Sequence, residues 1–146
     1  MSNVIGGSLP VLLDTDVFSK VFVAPRQDPQ AQQWAGVLAG RTVVIAVQTA
    51  VELLAWPRLC GWGPVRTVGL HNRVASVQTI PVTQAVQDAF VDLTVWARQS
   101  GHGIQAKVHT ADRWVAATAA AYGLELAARD GIYSGINGVT RLPGIP

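Results

Sequence analysis

Short apolar runs, too brief for helices and separated by long stretches of helical period, constrain this chain more than any other feature. Residues 10–13 (Pro-Val-Leu-Leu) stop at Asp14, and residues 41–46 hold the run Thr42-Val43-Val44-Ile45, rich in β-branched residues. Two further runs lie at 77–82, with Pro81 near the end, and at 124–128. Neighbouring strand side chains point to opposite faces, so a strand apolar at successive positions has two faces to bury. Such strands belong to parallel sheets covered by helices on both sides.

The intervening segments supply the helices. Residues 15–22 place Val17 and Val21 inward, with Phe18 and Phe22 beside them, and Pro25 is the stop. Asp28-Pro29 reads as a capping acid followed by proline in the first turn, opening a helix through Trp34 and Leu38 that stops at Gly40. Residues 48–56 are helical up to Pro57, residues 61–64 form a turn, and 65–75 are helical again. Thr83 caps a long helix at 84–99, apolar at Val86, Phe90, Leu93 and Ala97, which Gly101-His102-Gly103 ends. Thr110 caps an Ala-rich helix at 111–122, and Gly123 stops it. Residues 130–137 are a loop with room for one helical turn, 138–142 a last edge strand, and 143–146 a tail. The order predicts an α/β fold of three layers, α/β/α. Its centre is a mainly parallel sheet of four to five strands, and residues 1–146 form a single domain.

Composition narrows the function. Hydrophobic residues make up 49% of the 146, which excludes a disordered chain. Cys60 stands alone, which excludes an internal disulfide and a cysteine-built metal site; it is expected as a small buried hydrophobe. The longest apolar stretch, 114–124, is about half of a membrane span, and residues 1–10 lack a basic segment ahead of an apolar one. A cytoplasmic protein with no membrane contact is expected. The formal charge of +2 permits contact with nucleic acid without requiring it.

Only nine residues are acidic, seven Asp and two Glu, so their placement is informative. Asp14 closes the first strand, Asp130 follows the fourth, Asp112 lies in the first turn of the helix feeding that strand, and Glu52 sits on an otherwise apolar helix after the second. Each has an ordinary alternative: Asp14 a cap or turn, Asp112 a partner of the helix dipole, Asp130 a turn before Gly131, Glu52 a solvated position. Together they share the edge where open parallel sheets bind ligands. Converging carboxylates must be protonated or neutralised. Mg²⁺ or Mn²⁺ does this with oxygen ligands and couples carboxylates to phosphates, whereas a carboxylate-only set argues against zinc.

The segments around these acids resemble a known family. Leu12-Leu13-Asp14-Thr15-Asp16-Val17-Phe18 resembles the opening strand of a PIN domain, and Thr49-Ala50-Val51-Glu52-Leu53 its second motif. Asp112 to Ala119, then Gly123-Leu124 and Arg129-Asp130, resemble the third and fourth. The size is similar to VapC-like toxins. The resemblance implies a PIN-like fold and an Mg²⁺- or Mn²⁺-dependent endoribonuclease whose catalytic, metal-binding acids are Asp14, Glu52, Asp112 and Asp130, spaced by 38, 60 and 18 residues. It implies water attack on the RNA phosphate leaving 5′-phosphate and 3′-hydroxyl ends, a homodimer, and inhibition by a VapB-like antitoxin. Two positions depart from the family: Ala128 stands where Thr or Ser usually precedes the fourth acid by two, and Ala46 where Ser often ends the second strand.

Asp16 and Thr15 are placed to support the ligands from behind, with a helix-entry role as the alternative for Asp16. Arg113 and Arg129 adjoin ligands and either contact RNA phosphate, orient a carboxylate, or cover apolar surface. Trp56, Trp62 and Trp114 either stack on bases or pack in the core or a dimer interface. His71, His102 and His109 have no common ligand spacing; His109 either touches substrate or serves helix entry. Two other readings stand beside the nuclease. One is a PIN-like binding or scaffold module with weak or no catalysis. The other is a haloacid-dehalogenase-type phosphatase, since Asp14-Thr15-Asp16 resembles its nucleophile motif, with Lys107 the available lysine.

Overall fold

The apolar runs become the strands of a single four-stranded sheet in the computed structural model, which describes residues 9–25 and 27–143; the start of the chain and the last three residues of the expected tail lie outside them. In chain order the elements are β1 (Val11–Leu13), α1 (Thr15–Phe22), α2 (Pro29–Leu38), β2 (Val43–Ala46), α3 (Val47–Cys60), α4 (Pro64–Ala75), β3 (Gln78–Ile80), α5 (Gln84–Ser100), α6 (Thr110–Tyr122) and β4 (Glu125–Ala127). All pairings are parallel, and the strand order is β3-β2-β1-β4.

Strand alternation separates two cores. Leu12, Val44 and Leu126 face Leu93 and Ala97 of α5 and Val115, Ala116 and Ala119 of α6. Val11, Leu13, Ile45 and Ala127 face the other way, onto Val17 and Phe18 of α1, Trp34 of α2, Leu53 of α3 and Leu70 of α4. Helices therefore cover both sheet faces, and the three-layer α/β/α arrangement holds. Small residues at 116, 117 and 119 let α6 lie close on the sheet, and all three are buried. No helix among the described residues is long and apolar enough to cross a membrane.

The helix starts follow the capping residues. The Asp28 carboxylate accepts from the amides of Gln30 and Ala31, and the Thr83 hydroxyl from that of Val86. Three expectations are corrected. Pro57 does not end α3. It is buried within the helix, which runs to Cys60, and the amides of Gly61 and Trp62 close on the Pro57 carbonyl. The left-handed turn at Gly61 (φ 65°) makes the stop that proline does not. Thr110 is the first residue of α6 rather than its cap, and its hydroxyl donates to the Lys107 carbonyl. The expected edge strand at 138–142 is reduced to one parallel bridge, Leu126 to Arg141, because three-residue β4 offers little to pair with.

Candidate active site

The strand order turns at β1, with β2 on one side and β4 on the other, so a crevice opens beyond the carboxyl ends of β1 and β4. Asp14 leaves β1 at that point, and its amide still donates to the Ala127 carbonyl of β4 at 3.1 Å. Its carboxylate Oδ1 accepts from the Val17 amide at 2.9 Å, capping α1. Asp130 caps the 3-10 turn Gly131–Tyr133 through the Ile132 amide at 3.0 Å. Asp112 enters from the first turn of α6 and Glu52 from the second turn of α3. All four carboxylates line one cavity of about 420 Å³, together with Thr15, Asp16, Gln48, Ala111, Val115, Arg129 and Tyr133.

Burial pushes the Asp14 carboxyl up to about 7; the Val17 amide opposes this, and the charges of Asp16, Asp112 and Asp130 add to it. Burial also pushes the Tyr133 hydroxyl well above its usual range, with the Asp112 charge second in effect. Tyr133 is therefore a neutral donor. It donates to Asp112 Oδ1 at 3.1 Å, while His109 Nδ1 lies 2.8 Å from Asp112 Oδ2. Thr15 donates to Glu52 Oε2 at 3.2 Å. Among the described residues no three acidic, His or Cys side chains are gathered closely enough to hold a metal as they stand. Each carboxylate is instead turned toward its own donor.

The donor set nonetheless fits a hard divalent cation. It offers carboxylate oxygens in a concave site, where burial first and the neighbouring acidic charges second disfavour the Asp14 anion unless a positive charge is added. Arg129 does not supply that charge to Asp14. Its Nη1 lies 3.4 Å from Asp16 and 3.0 Å from Gln30 Oε1, at the rim.

Other residues divide sharply. Arg113, expected at RNA phosphate, is only 7% exposed and does not line the cavity. Its Nη1 donates to the carbonyls of Ile104 (2.6 Å) and Ala106 (3.0 Å), binding the segment before α6 to that helix. The phosphate-contact expectation is corrected: a guanidinium committed to two carbonyls in the interior holds the fold. Trp114 stacks on Phe90 at 3.9 Å, and Trp62 lies under the Arg66 guanidinium at 3.7 Å. His102 joins Ile104 to Ser134 through its two ring nitrogens. Cys60 is exposed, not buried, because it falls on the last, solvent-facing turn of α3. Ala46 and Ala128 are buried in the core and bring no hydroxyl to the cavity. The cavity also contains Gln48 and Tyr133, which sequence reasoning missed. Gln48 lies four residues before Glu52, hence on its helix face, and was legible. Tyr133 was not, since only the 3-10 turn after Asp130 folds it back toward α6.

Residues 11–138 match the PIN domain family. No curated protein matches the sequence. Solved structures similar in fold include VapBC2 of Rickettsia felis bound to a promoter DNA fragment (14% identity, TM-score 0.72), over 91% of this chain and 97% of that one. FitAcB of Neisseria gonorrhoeae is 23% identical with a TM-score of 0.71, over 90% and 96%. VapC20 of Mycobacterium tuberculosis, described as a toxin cleaving the sarcin-ricin loop, is 18% identical with a TM-score of 0.57, over 89% and 98%.

Proposed function

Since the chain belongs to the PIN domain family, we propose that it is an Mg²⁺- or Mn²⁺-dependent endoribonuclease and the toxin of a toxin–antitoxin pair. One observation carries this reading: four carboxylates from four separate segments share one cavity at the switch point of a parallel sheet. Asp14, Glu52, Asp112 and Asp130 would hold the cation. When bound, it supplies water activation and neutralises charge on the phosphodiester.

The protein's own part is positioning and field. The Val17 and Ile132 amides aim Asp14 and Asp130, and the Thr15 hydroxyl aims Glu52. Asp16 acts on Arg129 rather than on a ligand, and the partly exposed Arg129 side chain at the rim is the cation left to meet an incoming phosphate. The solved neighbours named VapBC and FitAcB are complexes of the toxin–antitoxin kind, which supports a VapB-like antitoxin here, and a homodimer is proposed with it.

The purified protein is expected to cleave structured RNA only with Mg²⁺ or Mn²⁺. Cleavage that survives EDTA would sink the mechanism. Expression should arrest growth, relieved by a short reading frame beside this one, and sedimentation should give twice the monomer mass. A catalytically weak binding module is the second reading, favoured by Ala128 and Ala46, which bring no hydroxyl to the cavity. Under it, Asp14→Asn leaves partner binding intact and neither form cuts RNA. The phosphatase reading loses ground, because Lys107 does not line the cavity.

A further inference from the structure

Asp112 is held differently from an ordinary acid in a helical first turn. Such an acid usually bonds the free amides of its own helix. Here both carboxylate oxygens are taken by side chains from outside the helical turns: Oδ1 by the Tyr133 hydroxyl at 3.1 Å, Oδ2 by His109 Nδ1 at 2.8 Å. Tyr133 comes from the far side of β4, 21 residues on, and its ring is buried against the core that α6 also packs on. A buried phenol needs an acceptor, so one alternative is that Asp112 serves Tyr133 and nothing more. The cavity argues for the reverse direction. Asp112 keeps a side-chain exposure of 34%, lines the cavity alongside Tyr133, and has lone pairs to spare beyond the two in use.

The geometry points to Tyr133 as a positioning residue that fixes the Asp112 carboxylate for a divalent cation. This rests on the reading of Asp112 as a cation ligand. The hold is set before any ion arrives: the ring cannot move without breaking its packing, and its hydroxyl donates to Oδ1 in the metal-free fold. Thr15 on Glu52 is the matching contact across the cavity, and Ala128 leaves the β4 side with no hydroxyl of its own.

The test is Mn²⁺ binding, by calorimetry and electron paramagnetic resonance, to the wild-type chain and to the Tyr133→Phe, Asp14→Asn, Asp112→Asn and Tyr133→Phe/Asp112→Asn variants. Unfolding of each in EDTA is followed in parallel. Tyr133→Phe keeps the ring. We expect it to weaken Mn²⁺ by about 10-fold or more, in the range seen when a ligand loses its orienting partner, with an unchanged metal-free unfolding midpoint. In the Asp112→Asn background the same change should have no further effect. Equal Mn²⁺ affinity in Tyr133→Phe and wild type, while Asp14→Asn loses the ion, overturns the positioning role and leaves the metal site standing. Equal weakening with and without Asp112, or a Tyr133→Phe chain that no longer folds, shows that the hydroxyl serves the fold and overturns it as well. No Mn²⁺ binding by the wild type overturns both this role and the metal-dependent reading.

Discussion

The two sides of the acidic cavity hold their carboxylates by different means. On the sheet side, Asp14 and Asp130 are gripped by backbone amides, each capping the turn that follows its strand. On the helix side, Glu52 and Asp112 are gripped by side chains, the Thr15 and Tyr133 hydroxyls and the His109 ring. A backbone cap comes with the path of the chain and survives any side-chain change except in the acid itself. A side-chain hold can be removed singly. The sheet side should therefore be vulnerable only at its acids, and the helix side also at its supports.

The largest effect belongs to Asp14. Asn keeps the capping acceptor and removes the charge, so Asp14→Asn should lower RNA cleavage on the order of 10²–10³-fold while α1 stays capped. The same change should remove a pH dependence. In the metal-free fold the Asp14 carboxyl stands near 7 against 3.8 in the unfolded chain, so the folded state binds the extra proton between those values. The Asp14 contribution to stability is then greatest at low pH and falls as pH rises from about 4 to 7, by up to about 4 kcal/mol at about 1.36 kcal/mol per pH unit. Thermal unfolding in EDTA from pH 4 to 8 should show this slope in wild type and not in Asp14→Asn. A wild type whose stability rises over that range breaks the assignment.

Arg113→Ala probes the scaffold beneath the cavity. Removing a buried guanidinium orphans two carbonyls, so we expect about 2–4 kcal/mol of lost stability in urea unfolding. Cleavage per folded molecule should hold, and a selective loss of activity would restore Arg113 to the RNA-contacting set.

On the helix side, Thr15→Val removes one hydroxyl at constant shape. It should cost about 10-fold in Mn²⁺ affinity, with the Asp14 cap intact, and no change would mean that Glu52 needs no support. The smallest effect is expected at the rim. Arg129→Gln should raise KM a few-fold and lower the salt slope of RNA binding by about one. An unchanged slope would leave Arg129 to Asp16 and Gln30 alone.

Much of this contrast was legible before any coordinates. Asp14 and Asp130 follow apolar runs, and a polar residue ending a buried strand has little place to go but the sheet edge. Glu52 stood out because its helix is otherwise apolar in sequence, although in the fold it is exposed, as are Val51 and Leu54 beside it. The helix starts at Asp28 and Thr83 were equally plain, because a cap acts on amides two or three residues away. Pro57 misled because a local rule was outweighed: the chain keeps the helix, buries the ring and lets Gly61 make the turn. Arg113 misled because neighbours in sequence on a helix point in different directions. At about 100° per residue, one faces the cavity and its neighbour the interior.

The sequence by itself determined the layered parallel sheet, the ends of most helices and the edge at which the acids gather, since all of these follow from local periodicity and burial. Only the tertiary structure decided which hydroxyls the two helix-side acids touch. Bringing Tyr133 onto Asp112 takes the return of β4 beside β1 followed by a 3-10 turn, and bringing Thr15 onto Glu52 takes the packing of α1 against α3. Those contacts span 21 and 37 residues, and no local rule sets side-chain geometry across such separations. Packing of the whole core does.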